Sequence, residues 1–177
     1  VDVEPRQTGF EALAQGLIEP LRRYLARRTD PATADDVLSE TLLVCWRRRA
    51  ELPAEPLAWA YAVARNCLAN ADRARRRQDR LLVRIWQLAR PPEQAPPEPP
   101  PAGSDPDPEL AGALARLSTV DAELVRLWAW EELGPAEIAL VVGLSPNAVS
   151  IRLHRARQKL RSMLPEHERA QAEGERP

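Results

Sequence analysis

The chain has 177 residues, a formal net charge of −1, 44% hydrophobic residues, 29% charged residues and only seven glycines. That is enough for one or two small domains of roughly 60 to 90 residues each, and the apolar share is ordinary for a globular protein. The low aromatic content of 5%, together with the abundance of Ala, Leu, Arg and Glu, points to helices rather than strands.

The fold class expected is all-α, as two small helical domains joined by a flexible, Pro-rich, acidic linker. No apolar run approaches the roughly 18 residues of a membrane span, and the N-terminal VDVEPRQTGF lacks the hydrophobic segment of a signal peptide. The expected location is therefore the cytoplasm, with no membrane contact of the chain's own. Cys45 and Cys67 fit no metal-ligand spacing and fall on apolar helical stripes, where a reduced cysteine fills space as a small hydrophobe.

In chain order, Phe10, Leu13, Leu17, Leu21 and Leu25 recur every three or four residues and mark a first amphipathic helix. A second is expected from about Thr33 to Ala50, burying Val37, Leu38, Thr41, Leu42 and Cys45, with Asp35 and Asp36 at its positive end and Arg47 to Arg49 at its negative end. LPAEP (Leu52 to Pro56) interrupts it. A long helix then runs from about Leu57 to Arg77 and resumes through LLVRIWQLA. On an ideal helix, Val63, Asn66, Asn70, Arg73 and Arg77 lie within about 40° of Trp59. Leu57, Ala60, Ala64, Cys67, Leu68 and Ala71 occupy the opposite half. One face is core; the other combines an aromatic that can stack on an unpaired base, amides that can bond base edges, and arginines that suit phosphates.

The segment Pro91 to Pro108, PPEQAPPEPPPAGSDPDP, is dense in proline, and its charges are all acidic. Proline fixes φ and removes backbone donors, so the expected state is an extended linker. The first domain is accordingly 1–90, the linker 91–108 and the second domain 109–164, with 165–177 a disordered tail. In the second domain PELAGALARLS is a helix closed by Ser118 and Thr119, followed by helices at Asp121 to Glu132 and Pro135 to Val142. Gly143 supplies a turn, and Ser145-Pro146 opens a final helix to about Leu164 as N-cap and first helical position.

That final helix carries five cations (Arg152, Arg155, Arg157, Lys159, Arg161) and no acid between Arg152 and Arg161. Val149, Leu153, Ala156 and Leu160 form its buried stripe, while Asn147, Ile151, His154 and Gln158 face outward. Helix, Gly turn and capped basic helix make a helix-turn-helix, whose second helix enters the major groove. His154 has no accompanying nucleophile or carboxylate, and no phosphate loop, metal cluster or catalytic constellation is apparent. The chain is expected to have no enzymatic activity and no cofactor.

ADDVLSETLLVCWRR, AWAYAVARNCLANADRARRR and EIALVVGLSPNAVSIRLHRARQKL, in this order, resemble the extracytoplasmic-function (ECF) sigma factors, group 4 of the sigma-70 family. The resemblance covers about residues 10 to 90 as region 2 and 109 to 164 as region 4. It implies a promoter-specificity subunit that binds core RNA polymerase at the β′ clamp helices and β flap. Asp36, Ser39 and Glu40 match the positions facing the clamp helices, with Ser39 standing where glutamine is usual. Leu52, Trp59, Asn66, Asn70, Arg73, Arg76 and Arg77 match the surface that opens and reads the −10 element. Leu52 sits in a shortened loop that in the family captures a flipped base. Ser145, Asn147, Ala148, Ser150, Ile151, Arg152, His154 and Arg155 lie on or beside the −35-reading helix. An anti-sigma partner is common in that family, although no residue here identifies one. Two other readings are a helix-turn-helix regulator with an N-terminal sensor or dimerisation domain, and an adaptor that binds protein alone.

Overall fold

The computed structural model describes residues 4–89 and 108–164. The linker expected at 91–108, except its last residue, and the tail at 165–177 lie outside the described residues. The chain divides into two compact units, Val1–Ser104 and Asp105–Pro177. Among the described residues all regular structure is helical. The first unit holds α1 (Glu4–Ala26), α2 (Pro31–Arg47), a 3-10 turn (Arg49–Glu51) and α3 (Leu57–Ala89). The second holds α4 (Pro108–Ala115), α5 (Thr119–Ala129), α6 (Pro135–Val142) and α7 (Pro146–Met163). No single described helix is long and apolar enough to cross a membrane.

In the first unit, α1, α2 and α3 pack against one another around Leu17, Leu21, Tyr24, Leu25, Val37, Leu38, Thr41, Cys45, Ala60, Tyr61, Ala64 and Cys67, all buried. Leu42, expected in this core, is only half-buried. Two aromatic pairs join the helices across long sequence separations. Tyr24 of α1 meets Tyr61 of α3 with ring centroids 5.1 Å apart, and Phe10 of α1 meets Trp46 of α2 edge-on at 5.0 Å. Such pairs add about 0.5–1.5 kcal/mol beyond their burial. The buried Thr41 hydroxyl is satisfied within its own helix, donating to the Val37 carbonyl at 2.7 Å.

Several helix boundaries differ from the expectation; α2 ends at Arg47 rather than near Ala50, giving way to the 3-10 turn. α2 begins at Pro31, because the Asp30 carboxylate accepts from the Thr33 N–H at 3.0 Å and the Thr33 hydroxyl at 2.7 Å. Proline at the first position then lacks an N–H that would have no helical partner anyway. The acids of Asp35 and Asp36 consequently sit in the second turn, and Asp30 is the residue at the positive end. α3 continues without a break from Leu57 to Ala89, since it contains neither Gly nor Pro and is rich in good helix formers. Ser118 does not close α4; it caps α5, accepting from the Asp121 N–H at 3.1 Å. α5 therefore starts at Thr119 and ends at Ala129.

The second unit packs α5, α6 and α7 around Leu124, Leu127, Ile138, Val141, Val149, Leu153, Ala156 and Leu160, with Leu114 of α4 closing one side. Glu132 turns the chain in the left-handed region (φ 55°) before α6. Gly143 turns it again after α6 with φ 72°, and the N–H groups of Gly143 and Leu144 both donate to the Ala139 carbonyl. That φ suits glycine, which has no Cβ to clash. Ala139 is itself buried at the α6–α7 corner.

Candidate nucleic-acid and polymerase surfaces

Three surfaces carry the singled-out residues. On α2, Asp36, Ser39 and Glu40 are exposed. The Ser39 hydroxyl is turned onto its own helix, donating to the Asp35 carbonyl at 2.9 Å, which leaves the two carboxylates as the projecting groups. Leu43, 46% exposed, lies on the same stripe at helical spacing. Composition and periodicity did not single it out, since a leucine in an amphipathic helix reads as core. Its signal is its place seven residues after Asp36 and three after Glu40.

On α3 the expected stripe is an outer face. Asn66, Asn70, Arg73, Arg76 and Arg77 are exposed, whereas Trp59 and Val63 are half-buried. Helical periodicity explains this division, with Ala60, Ala64 and Cys67 buried on the opposite side. Two members of the stripe are joined: Arg73 Nη2 donates to Asn70 Oδ1 at 2.9 Å, and Arg73 Nε to the Ala69 carbonyl at 3.0 Å. Arg75 is directed elsewhere, 3.8 Å from Asp30 and 3.8 Å from Asp72. Leu52, which follows the 3-10 turn, is half-buried.

On the second unit, α7 begins at an N-cap where Ser145 Oγ accepts from the Ala148 N–H at 3.2 Å. Asn147, Ser150, Ile151, His154 and Arg155 are exposed, and Ala148 and Arg152 are half-exposed. The Ser150 hydroxyl donates to the Pro146 carbonyl at 3.0 Å. A groove of about 740 Å³ between the α5–α6 corner and α7 is lined in part by Trp128, Glu132, Pro135, Ser150, His154 and Arg157. It places two outward residues of α7 beside the start of α6.

The cationic block of α7 is not uniform. Arg152 is bound to Asp121 of α5 at 2.9 Å. Arg157 lies over the Trp128 ring, 4.1 Å from its centroid. Lys159 donates to the Arg116 carbonyl at 3.0 Å, beyond the end of α4. Arg155 makes no ion pair among the described residues. The sequence counts these cations but does not sort them, because every partner is distant along the chain, 31 residues for Arg152 and 43 for Lys159.

The cysteines face the interior. Burial pushes the Cys45 thiol up to about 11, and also raises Cys67, with the charge of Glu40 acting in the same direction. Both are free and buried. Among the described residues no group of three His, Cys, Asp or Glu side chains could hold a metal ion.

A model of the family "Sigma-70, region 4" matches residues 108–160, which spans α4 through most of α7. The ECF RNA polymerase sigma factor SigL of Mycobacterium tuberculosis is 35% identical over 150 residues, covering 82% of this chain and 83% of SigL. The RNA polymerase sigma factor CarQ of Myxococcus xanthus is 32% identical over 176 residues, covering 92% of each chain. Among solved structures, the sigma factor RpoE in complex with the anti-sigma factor NepR from Bartonella quintana shares the fold, with a TM-score of 0.61, 20% identity, and 88% of this chain and 96% of that one covered. CnrH in complex with the cytosolic domain of CnrY has a TM-score of 0.57 at 24% identity, with 88% and 87% covered. The identity to SigL and CarQ along most of the chain, with both helical units present, establishes that this protein belongs to the ECF sigma factors of RNA polymerase.

Proposed function

We propose that the three surfaces divide the work of promoter recognition. The exposed α2 stripe of Asp36, Glu40 and Leu43 docks on the β′ clamp helices, its two carboxylates meeting cations around an apolar centre. The α3 face of Trp59, Asn66, Asn70, Arg73, Arg76 and Arg77 holds the separated −10 strand, with Leu52 beside it. Ser145, Asn147, Ala148, Ser150, Ile151, His154 and Arg155 form the −35-reading face of α7, with Arg152 beside them, and the second unit engages the β flap. The protein acts as a specificity subunit without catalysis of its own. Charged contacts to phosphate make its promoter complexes salt-dependent, and stacking on unpaired bases adds about 1–3 kcal/mol per base.

The observation that carries this reading is the segregation of α3. One helix presents exposed amides and arginines along one face and small buried residues along the other. A sensor or dimerisation domain would have no use for such a face. RpoE and CnrH are each seen with a protein partner, and an anti-sigma factor covering these same surfaces is expected here by analogy.

Run-off transcription with core RNA polymerase on fragmented genomic DNA tests the proposal. Promoter-specific transcripts that require this chain, and that fall with Asp36→Ala and with Asn66→Ala, are the expected result. Specific duplex binding by the chain alone, with no transcripts, would instead make it a helix-turn-helix regulator.

A further inference from the structure

The tightest of the α7 tethers is a three-residue chain. Arg152 Nε donates to Asp121 Oδ1 at 2.9 Å, and Arg152 Nη2 lies 2.9 Å from the same oxygen. The other oxygen, Oδ2, accepts from the Ser118 hydroxyl at 2.6 Å. The Ser118 oxygen in turn accepts from the Asp121 N–H at 3.1 Å, capping α5. Both carboxylate oxygens are thus committed, and the cap of α5 is linked to the second turn of α7 across 31 residues. The bridge is partly shielded, with side-chain exposures of 41% for Arg152 and 27% for Asp121. Charge-assisted bonds of this kind are stronger than neutral ones.

The bridge has a geometric consequence. The apolar contact of α7 with its unit is one narrow stripe, Val149, Leu153, Ala156 and Leu160, and apolar packing is non-directional. Arg157 on Trp128 and Lys159 on the Arg116 carbonyl tether the later turns, which leaves Arg152 as the tether of the base-facing second turn. A rotation of ~15° about the helix axis carries a side-chain tip ~6 Å from that axis through about 1.5 Å. Binding constellations tolerate only about 0.5 Å or 10–20° of error. Arg152 flanks the stripe and fixes the helix rotation through a directional contact on α5.

We infer that Asp121 and Arg152 are positioning residues for −35 recognition. Arg152 acts by setting the orientation of α7, and the outward Arg155 is the phosphate contact in this part of the helix. This rests on the reading of α7 as the −35-reading helix.

The test uses holoenzyme assembled from the full chain and core polymerase. The DNA probes are a promoter duplex recovered by run-off transcription and the same duplex with its −35 element scrambled, titrated across a salt series. Wild type should prefer the intact element. Arg155→Ala should weaken both duplexes and lower the log–log salt slope by about 1. Arg152→Ala and Asp121→Ala should each reduce the preference for the intact element about tenfold, the order of one lost base contact, with the slope on scrambled DNA unchanged. Combining them should cost no more than either alone. Arg152→Lys keeps the charge but not the planar fork, so it should resemble Arg152→Ala. The exchange Asp121→Arg with Arg152→Asp should restore part of the preference.

A slope lowered by Arg152→Ala, a wild-type Arg152→Lys, or a neutral Asp121→Ala would each overturn the inference in favour of direct phosphate binding. Thermal melts of each single variant separate these outcomes from misfolding, because a misfolded variant would lose the cooperative transition of the second unit. If wild type binds intact and scrambled duplexes equally, the −35 assignment of α7 fails, and the positioning role falls with it.

Discussion

Asn66 and Asn70 differ in a way that a single substitution series can measure. An asparagine side chain offers one carbonyl acceptor and two N–H donors. The Asn70 carbonyl already accepts from Arg73 at 2.9 Å, so one of its two lone pairs is engaged and the oxygen is held toward Arg73. Asn66 is exposed, and its side chain makes no hydrogen bond among the described residues, so both its donors and its acceptor face outward. A two-point contact to a base edge discriminates by about 1–3 kcal/mol, which is roughly 5- to 150-fold at 25 °C. Asn66→Ala should therefore reduce open complex by more than tenfold, and Asn70→Ala by a smaller factor because part of its acceptor capacity is already held by Arg73. Permanganate reactivity of unpaired thymines measures open complex on a duplex promoter, and a pre-melted bubble template separates base capture from polymerase binding. The deficit should persist on the bubble. Open complex within twofold of wild type for Asn66→Ala, or a larger loss for Asn70→Ala than for Asn66→Ala, would refute the amide arithmetic.

Leu43→Asp should weaken affinity for core polymerase by at least tenfold in a fluorescence binding assay while leaving the melting temperature within a few degrees, since Leu43 is 46% exposed and contributes little to the core. Cys45 and Cys67 should react with a thiol-directed disulfide reagent far more slowly in the native chain at pH 8 than in denaturant, because burial disfavours their thiolates. A thiol pKa raised on folding gives stability that is present below the unfolded value and is lost as pH rises toward the folded one, so unfolding should become easier from about pH 9 to 11. Leu153→Ala, removing a 5%-exposed side chain from α7, should destabilise the second unit by about 2–5 kcal/mol. Calorimetry should show its transition lowered or lost while that of the first unit stays in place.

What was legible beforehand follows the range of the interactions. The α6–Gly143–α7 corner was readable because its signals are local: a glycine at φ 72°, a serine cap and a proline at the first turn. The buried and outward halves of α3 followed from spacing alone. The start of α2 is readable in principle, since Asp30-Pro31 is a cap followed by a first-turn proline, and Thr33 lies inside the helix as the donor to that cap. The end of α3 at Ala89 agrees with the helix expected to resume through LLVRIWQLA, but the exposure of that segment was not readable from hydrophobicity. Leu81, Leu82 and Ile85 continue a helix on propensity while remaining 60%, 51% and 59% exposed, so their apolar character did not report burial. Tyr24 with Tyr61 and Arg152 with Asp121 were invisible for another reason. Each pairing depends on which helices meet, and no local pattern encodes that.

The near-neutral total charge and the basic helices are compatible because the charges are sorted by element before they are paired. Within the second unit, α7 from Arg152 to Arg161 is purely cationic, while Asp121, Glu123, Glu131, Glu132 and Glu137 all precede it. Folding brings Asp121 to Arg152 and lays Arg157 on Trp128. Part of the positive charge thereby serves cohesion between helices, and Arg155 is left outward. A protein that used all five cations on phosphates would show a steep salt dependence from this unit, since each neutralised phosphate adds about 0.9 to the slope. The geometry of α7 calls for a shallower dependence, with affinity coming from fewer charges held on a better-fixed helix. Selectivity for the −35 element should then survive moderate salt better than the count of arginines suggests, because the interactions that orient α7 are partly shielded and screened less than those at its exposed face.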